Sequence, residues 1–589
     1  MELDNPAECG PFGRPNAMVF ASRDVGFNPE GRMRHYTVYN TPHPDYVFER
    51  RVDLSAFLRE MPDVGSTPPE KMPFTEKNVP LMGYVCVPEG DGPFPLALLH
   101  HGNYDYQTDS AAGFIYLCEL LASHGIVAAS MATIWLAFDV DGEGWPYGVE
   151  PRIGKRAIYT LEYVKQFRAW NEQPDHPLYG KMDLNSVMLL GHSTSGPDVG
   201  TATYINQLLE VPGRPPDSAS AYPSIPLDGT NGLGPYGFGI RAIVSIEPRE
   251  SAFDVDVTPY GNPDLSVDYF NIEASSMGRW QYDTTSRVNP DTPEATDGHI
   301  KSQWKMYGGL HHTFNTLWNP DDPQPLPPED QRTIAKLYIA TIALAVLKRQ
   351  DAYREILRDH RLASAWLPKD ATLFSLYQDD QRLFLQHHQE PDSFPEVVIS
   401  APFAGRVTTT PNLRAERVRQ RYLPYMRKRD AYYLALSWMK EALSPVYTLE
   451  LEKITATLDR FSVISLGLGQ GVVEETSKQG WLGRLISQVL QVFRGGGQPD
   501  AKTCTEQPEL KLKLVFSDAY GHSVTFDVSE FARILYPEKP AFIQFQSVRI
   551  PLARLKAAGV IVEELSSISF VFDGSTPGVL YSNGIQFSL

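Results

Sequence analysis

"VMLLGHSTSGPDVG", residues 187–200, decides how this chain is read. An apolar run ends in Gly191-His192-Ser193, and a helix-like segment follows. Two readings compete: Ser193 stands on a strand-to-helix elbow as a nucleophile, or it is an ordinary loop serine. The elbow pattern Gly-x-Ser-x-Gly is met except at its fifth position, which holds Ser195, with the glycine one residue later at Gly196. A serine hydroxyl is a poor nucleophile at neutral pH. It needs a base within reach, a carboxylate to orient that base, and donors for the developing oxyanion. A sharp turn after a buried strand lifts Oγ above the sheet edge and sets the next amide at a helix N-terminus. Pro197 falls in the first helical turn, where its missing N–H costs least.

Outward from this stretch, short apolar runs alternate with amphipathic helices from about residue 80. "GYVCVP", "PLALLHHG" (95–102), "IVAASM" (126–131), "SVMLLG", "AIVSIEP" (242–248), "VDYFNIEA" (267–274) and "SQWKMYGG" (302–309) read as strands. "FIYLCELLASHG" and "RAIYTLEYV" read as helices, the first ended by Gly125. The alternation predicts a mainly parallel sheet with helices on both faces. The Pro-, Gly- and Ser-rich stretch 210–239 reads as a surface excursion over the site. After residue 330 the texture changes to the apolar helix "IAKLYIATIALAVL" (334–347) and charged, helix-prone sequence to about 390. Strand-like segments then take over: "ELKLKLVF" (509–516), "SVRIPLARL", "SISFVFD" and "GVLYSNGIQFSL". Their short spacing predicts a β-sandwich, with "GWLGRLISQVLQVFRGGGQPDAKT" as a helix and loop between strands.

Composition narrows the function. The 589 residues carry a net charge of −18, with 42% hydrophobic and 21% charged residues. So acidic a chain has no general affinity for nucleic acid or anionic membranes, and the basic run "RAERVRQRYLPYMRKR" (414–429) reads as a solvated face or a partner for carboxylates. The four cysteines (Cys9, Cys86, Cys118, Cys504) form no C-x-x-C pair, and no HExxH motif or P-loop occurs, so neither cofactor nor metal is expected. His299 and the "QHHQE" pair (386–390) are too isolated to suggest a metal site. The start lacks a basic n-region and an apolar h-region, and a cytoplasmic location is the expectation, with secretion of a longer precursor left open.

Four motifs carry a resemblance. "HGN" (101–103), "LASHG" (121–125), "GHSTSG" (191–196) and "GLHHTFNT" (309–316) make residues ~80–320 resemble the α/β-hydrolase superfamily. The similarity is to bacterial serine hydrolases whose elbow reads G-H-S-R-G-G-E-G and whose histidine lies in G-x-N-H-N-x-F-N-T. The tail resembles jelly-roll, carbohydrate-binding-type modules through "SVRIPL" and "GIQF". The resemblance implies an α/β-hydrolase catalytic domain over 1–365, a helical linker over 366–390, and an all-β jelly-roll sandwich over 391–589. It implies Ser193 as nucleophile, His311 rather than His312 as base, and the backbone amides of Asn103 and Thr194 as oxyanion hole. His192 and His101 match flanking positions and read as structural hydrogen-bonders.

The orienting acid departs from that pattern. Where the family carries Asp-Gly, this chain has Met277-Gly278, and a thioether cannot orient an imidazolium. Glu247 stands at the carboxyl end of "AIVSIEP", beside the elbow, and is the expected acid. Asp283 is the alternative; Glu273 lies within a strand. A salt bridge from Glu247 to Arg249 or Arg279 is the competing structural role. Ser195 reads as a tolerated replacement for glycine, or as a substrate contact. The expected activity is hydrolysis of a small-molecule or polymeric carboxylic ester through an acyl-enzyme. The alternatives are acyl transfer or cyclisation from the same intermediate, and a catalytically inactive binding protein. A carbohydrate contact through the C-terminal domain is a further expectation, and Asn583 argues against calcium there.

Overall fold

The computed structural model describes residues 3–13, 15–20, 51–55, 77, 79–102, 104, 109–133, 155–213, 223–248, 267–274, 299–318, 324–379, 381–386, 403–420, 431–439, 443–471, 509–536 and 544–589. The chain divides into two units, Met1–Thr284 with Ser302–Leu373, and Thr285–Lys301 with Phe374–Leu589.

The first unit is organised around the quoted apolar run. Its strands are β1 (Met18–Phe20), β2 (Gly83–Cys86), β3 (Phe94–His100), β4 (Val127–Met131), β5 (Met182–His192), β6 (Ile240–Ile246), β7 (Asp268–Ala274) and β8 (Lys301–Met306). Within this unit they lie in the order β1-β2-β4-β3-β5-β6-β7-β8. β5 is buried from Ser186 onward, as a strand covered on both faces must be. It pairs in parallel with β3 (Leu96 opposite Val187) and with β6 (Ile246 opposite His192). Parallel pairing continues from β3 to β4 and from β6 to β7, whereas β1 and β2 join antiparallel.

The connections explain where a site can form. Helix α1 (Ile115–Ser123) carries the chain from β3 outward to β4, and α2 (Lys155–Glu172) brings it back to β5. The order therefore reverses between β3 and β5, a topological switch point of the kind where open α/β sheets place their ligands, outside the carboxyl ends of the strands. α1 buries Leu117, Cys118 and Leu121, residues at helical spacing, and α2 buries Ala157, Ile158, Leu161 and Val164. Helix α3 (Ser195–Ile205) leaves the end of β5. Helix α4 (Pro328–Ile342) starts on a proline with Glu329 and Asp330 in its first turn, residues that suit a helix N-terminus.

The second unit is antiparallel throughout its sheets. One sheet orders Leu413–Gln420, Ala431–Trp438, Gly578–Ser588, Val463–Gln470 and Gln546–Pro551, with Arg382–Gln386 also on Gly578–Ser588. The other orders Ala404–Thr409, Val446–Leu451, Leu565–Phe572, Leu512–Asp518 and Ser523–Asp527. Leu434, Ile464 and Phe587 of the first sheet share one buried cluster with Leu449, Leu514 and Phe570 of the second.

The expected fold class, an α/β-hydrolase fold of mainly parallel sheet with helices on both faces plus a C-terminal all-β jelly-roll sandwich, is corrected. Among the described residues strand accounts for 37% and helix for 23%, with only 6 α-helices and several antiparallel sheets, so the described part of the chain is mostly β. One physical source of the difference lies after residue 370. The region expected as a helical linker, 366–390, contains strands Leu373–Gln378 and Arg382–Gln386. Leu373, Phe374, Leu376 and Tyr377 of the first and Phe384 and Leu385 of the second are buried. In the opposite sense, "SVRIPLARL" is strand only to Pro551 and helix over Leu552–Ala557, where Leu552 and Leu555 are buried three residues apart. The helix and loop expected within 480–503 lie outside the described residues. Among the described residues no helix is long and apolar enough to cross a membrane.

Candidate active site

β5 ends at His192 and α3 begins at Ser195. Between them Ser193 has φ +57°, in the left-handed region, a conformation that costs a non-glycine residue on the order of 1–3 kcal/mol. Two backbone bonds hold it: Ser193 N–H donates to Ile246 O at 3.0 Å, and Gly196 N–H to Ser193 O at 3.0 Å. The glycine displaced in the motif has its reason in packing. A Cβ at Gly196 would lie 2.5 Å from Pro248 Cβ. Position 195 has no such conflict, and Ser195 is fully buried with Oγ donating to His101 O at 2.6 Å. Its hydroxyl is committed to the backbone, so the expectation of a Ser195–substrate contact is set aside.

The turn after β3 reaches the same point. A Cβ at Gly102 would lie 2.4 Å from Ser193 Cβ and 3.1 Å from Ser193 Oγ. The main chain of Gly102 therefore passes directly against Ser193. Thr133 N–H donates to His101 Nε2 at 3.0 Å, which leaves the proton on Nδ1, 2.7 Å from Gly102 O. Burial pushes the His101 pKa down to about 4, so the ring is neutral. Asn103 lies outside the described residues; Thr194 opens α3. Arg156 of α2, buried, donates from Nη1 to Thr194 Oγ1 at 2.5 Å and stands 3.7 Å from Asp198 Oδ2.

The histidine loop is fixed from two sides. Gln331 of α4, fully buried, grips the residue before the histidine: Nε2 donates to Leu310 O at 2.7 Å and Oε1 accepts Leu310 N–H at 2.9 Å. On the other side Asn315 Nδ2 donates to Ser110 O and Trp318 Nε1 to Ser110 Oγ, each at 2.8 Å. Between these anchors His311 is buried, its ring 4.8 Å from that of His192. His192 Nε2 donates to His311 O at 3.1 Å, so the residue before Ser193 is tied to the main chain of His311. Burial and the neighbouring His311 and His312 keep the His192 pKa well below its usual value. His312 joins the same aromatic group, its ring 5.5 Å from that of His311, 5.6 Å from Tyr104 and 5.7 Å from Trp318.

Glu247 stands one residue beyond β6 with φ +43°, a second non-glycine residue in the left-handed region, and is 1% exposed. Its N–H donates to Ile272 O at 2.7 Å, and its Oε2 accepts the N–H of Ala274, the last residue of β7. A Cβ at Gly309 would lie 3.0 Å from Ala274 Cβ. The carboxylate thus sits at the end of β7, where the histidine loop passes. Glu273 is engaged with Lys305 at 3.9 Å. Met277, Asp283, Arg249 and Arg279 lie outside the described residues.

The sequence reading missed Arg156, Gln331 and Asp109. Asp109 is buried in the turn that anchors the histidine loop, accepting from Tyr84 O–H and from Ala112 N–H at 3.1 Å. Burial raises its pKa from 3.8 to about 7, opposed by the Tyr84 bond. A carboxyl whose pKa rises on folding binds its proton more tightly folded than unfolded. Its contribution to stability therefore falls as pH rises from about 4 to about 7 and levels off above. The penalty at pH 8 is on the order of 4 kcal/mol. Asp109→Asn is expected to gain stability relative to wild type between pH 5 and pH 8, by urea denaturation. A difference between the two proteins that does not change with pH contradicts the assignment.

No family model matches the chain, and no curated protein matches it. The functional reading therefore rests on the site itself.

Proposed function

We propose that the chain is a serine hydrolase that cleaves carboxylic esters through an acyl-enzyme. One observation carries the reading: Ser193 is held at φ +57° between β5 and α3, and its neighbour His192 is bonded to the main chain of His311. Strain of this kind persists where surrounding structure over-determines it, and it clusters at reactive sites. The motifs "HGN", "GHSTSG" and "GLHHTFNT", similar to those of bacterial serine hydrolases, support the same reading.

In the proposed reaction Ser193 Oγ attacks the ester carbonyl carbon while its proton passes to His311. The carbonyl oxygen becomes an oxyanion stabilised by the backbone amides of Thr194 and, as the resemblance implies, Asn103. Glu247 orients His311 and stabilises the imidazolium. The C–O bond to the alcohol then breaks, and the leaving oxygen takes the proton from His311. Water repeats the sequence on the acyl-enzyme, releasing the acid and restoring Ser193.

An acyl-enzyme has no memory of its leaving group. With p-nitrophenyl and phenyl butyrate in aqueous methanol, the ratio of butyrate to methyl butyrate is expected to be identical for the two esters. A ratio that depends on the leaving group, or no turnover of either ester, contradicts the proposal. A ratio strongly favouring methyl butyrate at low methanol would assign acyl transfer to the same intermediate.

A further inference from the structure

The site contains a polar connection that ester cleavage by itself does not call for. Ser195, where the elbow pattern has glycine, donates to His101 O at 2.6 Å and is fully buried. Its Oγ is 3.5 Å from Arg156 Nη1, and the same Nη1 reaches Thr194 Oγ1 at 2.5 Å. Arg156 also pairs with Asp198 in the first turn of α3, at 3.7 Å. On the far side, His101 is pinned by the amide of Thr133. These bonds run without a break from α2, through the residues after Ser193, to the turn after β3. They join the two backbone segments that face the nucleophile, one holding Thr194 and the other Gly102.

We propose that Ser195 and Arg156 form a buried strut that sets the spacing between these two segments, and so act as positioning residues for the oxyanion. The inference rests on the serine-hydrolase reading of the site. A glycine at 195 would allow the same close packing but leave the segments unconnected. A hydroxyl can bridge them because its one proton goes to the His101 carbonyl while its lone pairs face the guanidinium. Arg156 is buried, and Thr194 and Asp198 share its charge with Ser195, so the cation is held against the elbow rather than presented to substrate. A tetrahedral intermediate needs donors placed to within about 0.5 Å, whereas the planar ester bound beforehand depends on them less. Loss of the strut therefore acts on the transition state and spares substrate binding.

The test compares Ser195→Ala, Ser195→Gly, Arg156→Lys, Arg156→Met and the Ser195→Ala/Arg156→Met double variant in the full chain. Each is measured for kcat and KM on p-nitrophenyl butyrate and for inhibition by butylboronic acid, whose tetrahedral adduct on Ser193 mimics the intermediate. Loss of an oxyanion donor costs about 10²–10³ in kcat, and displacement of one is expected to cost about 10–100-fold. For Ser195→Ala and Ser195→Gly, kcat and boronate affinity fall together by that factor while KM stays within about twofold. Arg156→Lys recovers part of what Arg156→Met loses, and the double variant loses far less than the product of the single losses, because both residues serve one strut. Ser195→Gly is the smallest change and guards against misfolding, which far-UV circular dichroism checks. Unchanged kcat and boronate affinity in both Ser195 variants overturn the strut, as does a rise in KM at constant kcat. A wild-type chain without esterase activity, or turnover that survives Ser193→Ala, overturns the underlying reading and the strut with it.

Discussion

Ser193→Ala is expected to lower kcat on p-nitrophenyl butyrate by about 10⁶-fold, the scale seen when a triad serine is removed. The size follows from what the residue supplies. Without Oγ no covalent intermediate can form, and only the oxyanion donors and substrate positioning remain, which still leave about 10³–10⁴ over water. The fold is expected to survive. Alanine keeps the backbone hydrogen bonds from Ser193 to Ile246 and from Gly196 to Ser193, and it adds no atom to a position 5% exposed. Far-UV circular dichroism matching wild type, together with the lost turnover, separates loss of the nucleophile from loss of structure. Turnover within about tenfold of wild type would mean that Ser193 is a loop residue under strain for another reason.

The second large effect belongs to Glu247. Glu247→Gln is expected to reduce kcat by about 10⁴-fold, with KM little changed, because an amide cannot stabilise the imidazolium that forms at His311. The substitution retains an oxygen able to accept the amide of Ala274, the bond that Glu247 Oε2 makes now, so the end of β7 should hold. Asp283→Asn is the internal control, expected to remain near wild type. The reverse pattern, with Glu247→Gln active and Asp283→Asn collapsed, would assign the acid to Asp283. Both residues near wild type would mean that no carboxylate at either position orients the base.

What could be read in advance depended on whether the signal was local. The strand "SVMLLG" lies within β5, "PLALLHHG" overlaps β3 and "VDYFNIEA" overlaps β7, because continuous apolar runs bounded by turns mark buried strands without tertiary information. Ser193 could be singled out for the same reason, since strand, small-residue turn and helix are contiguous. Glu247 was visible as a carboxylate at a strand end, but its φ of +43° was not. Arg156 and Gln331 left no trace. Arg156 acts on a residue 38 positions away and Gln331 on one 21 away, and on a helix a buried polar side chain looks like a solvated one until the fold shows which face is covered. The overall class differs from the expectation because the resemblance rests on short motifs within residues ~80–320, which mark local elements and not the balance of strand and helix over the rest. Residues 366–390, expected as a helical linker, contain strands Leu373–Gln378 and Arg382–Gln386, and strand outweighs helix among the described residues, 37% to 23%.

The most direct measurement is labelling of the full chain with a fluorophosphonate, followed by proteolysis and mass mapping of the adduct. Phosphonylation at a single site, on the peptide carrying Ser193, in step with loss of esterase activity, is the predicted result. An adduct confined to another residue, or an active chain in which Ser193 stays unmodified as activity disappears, would contradict it.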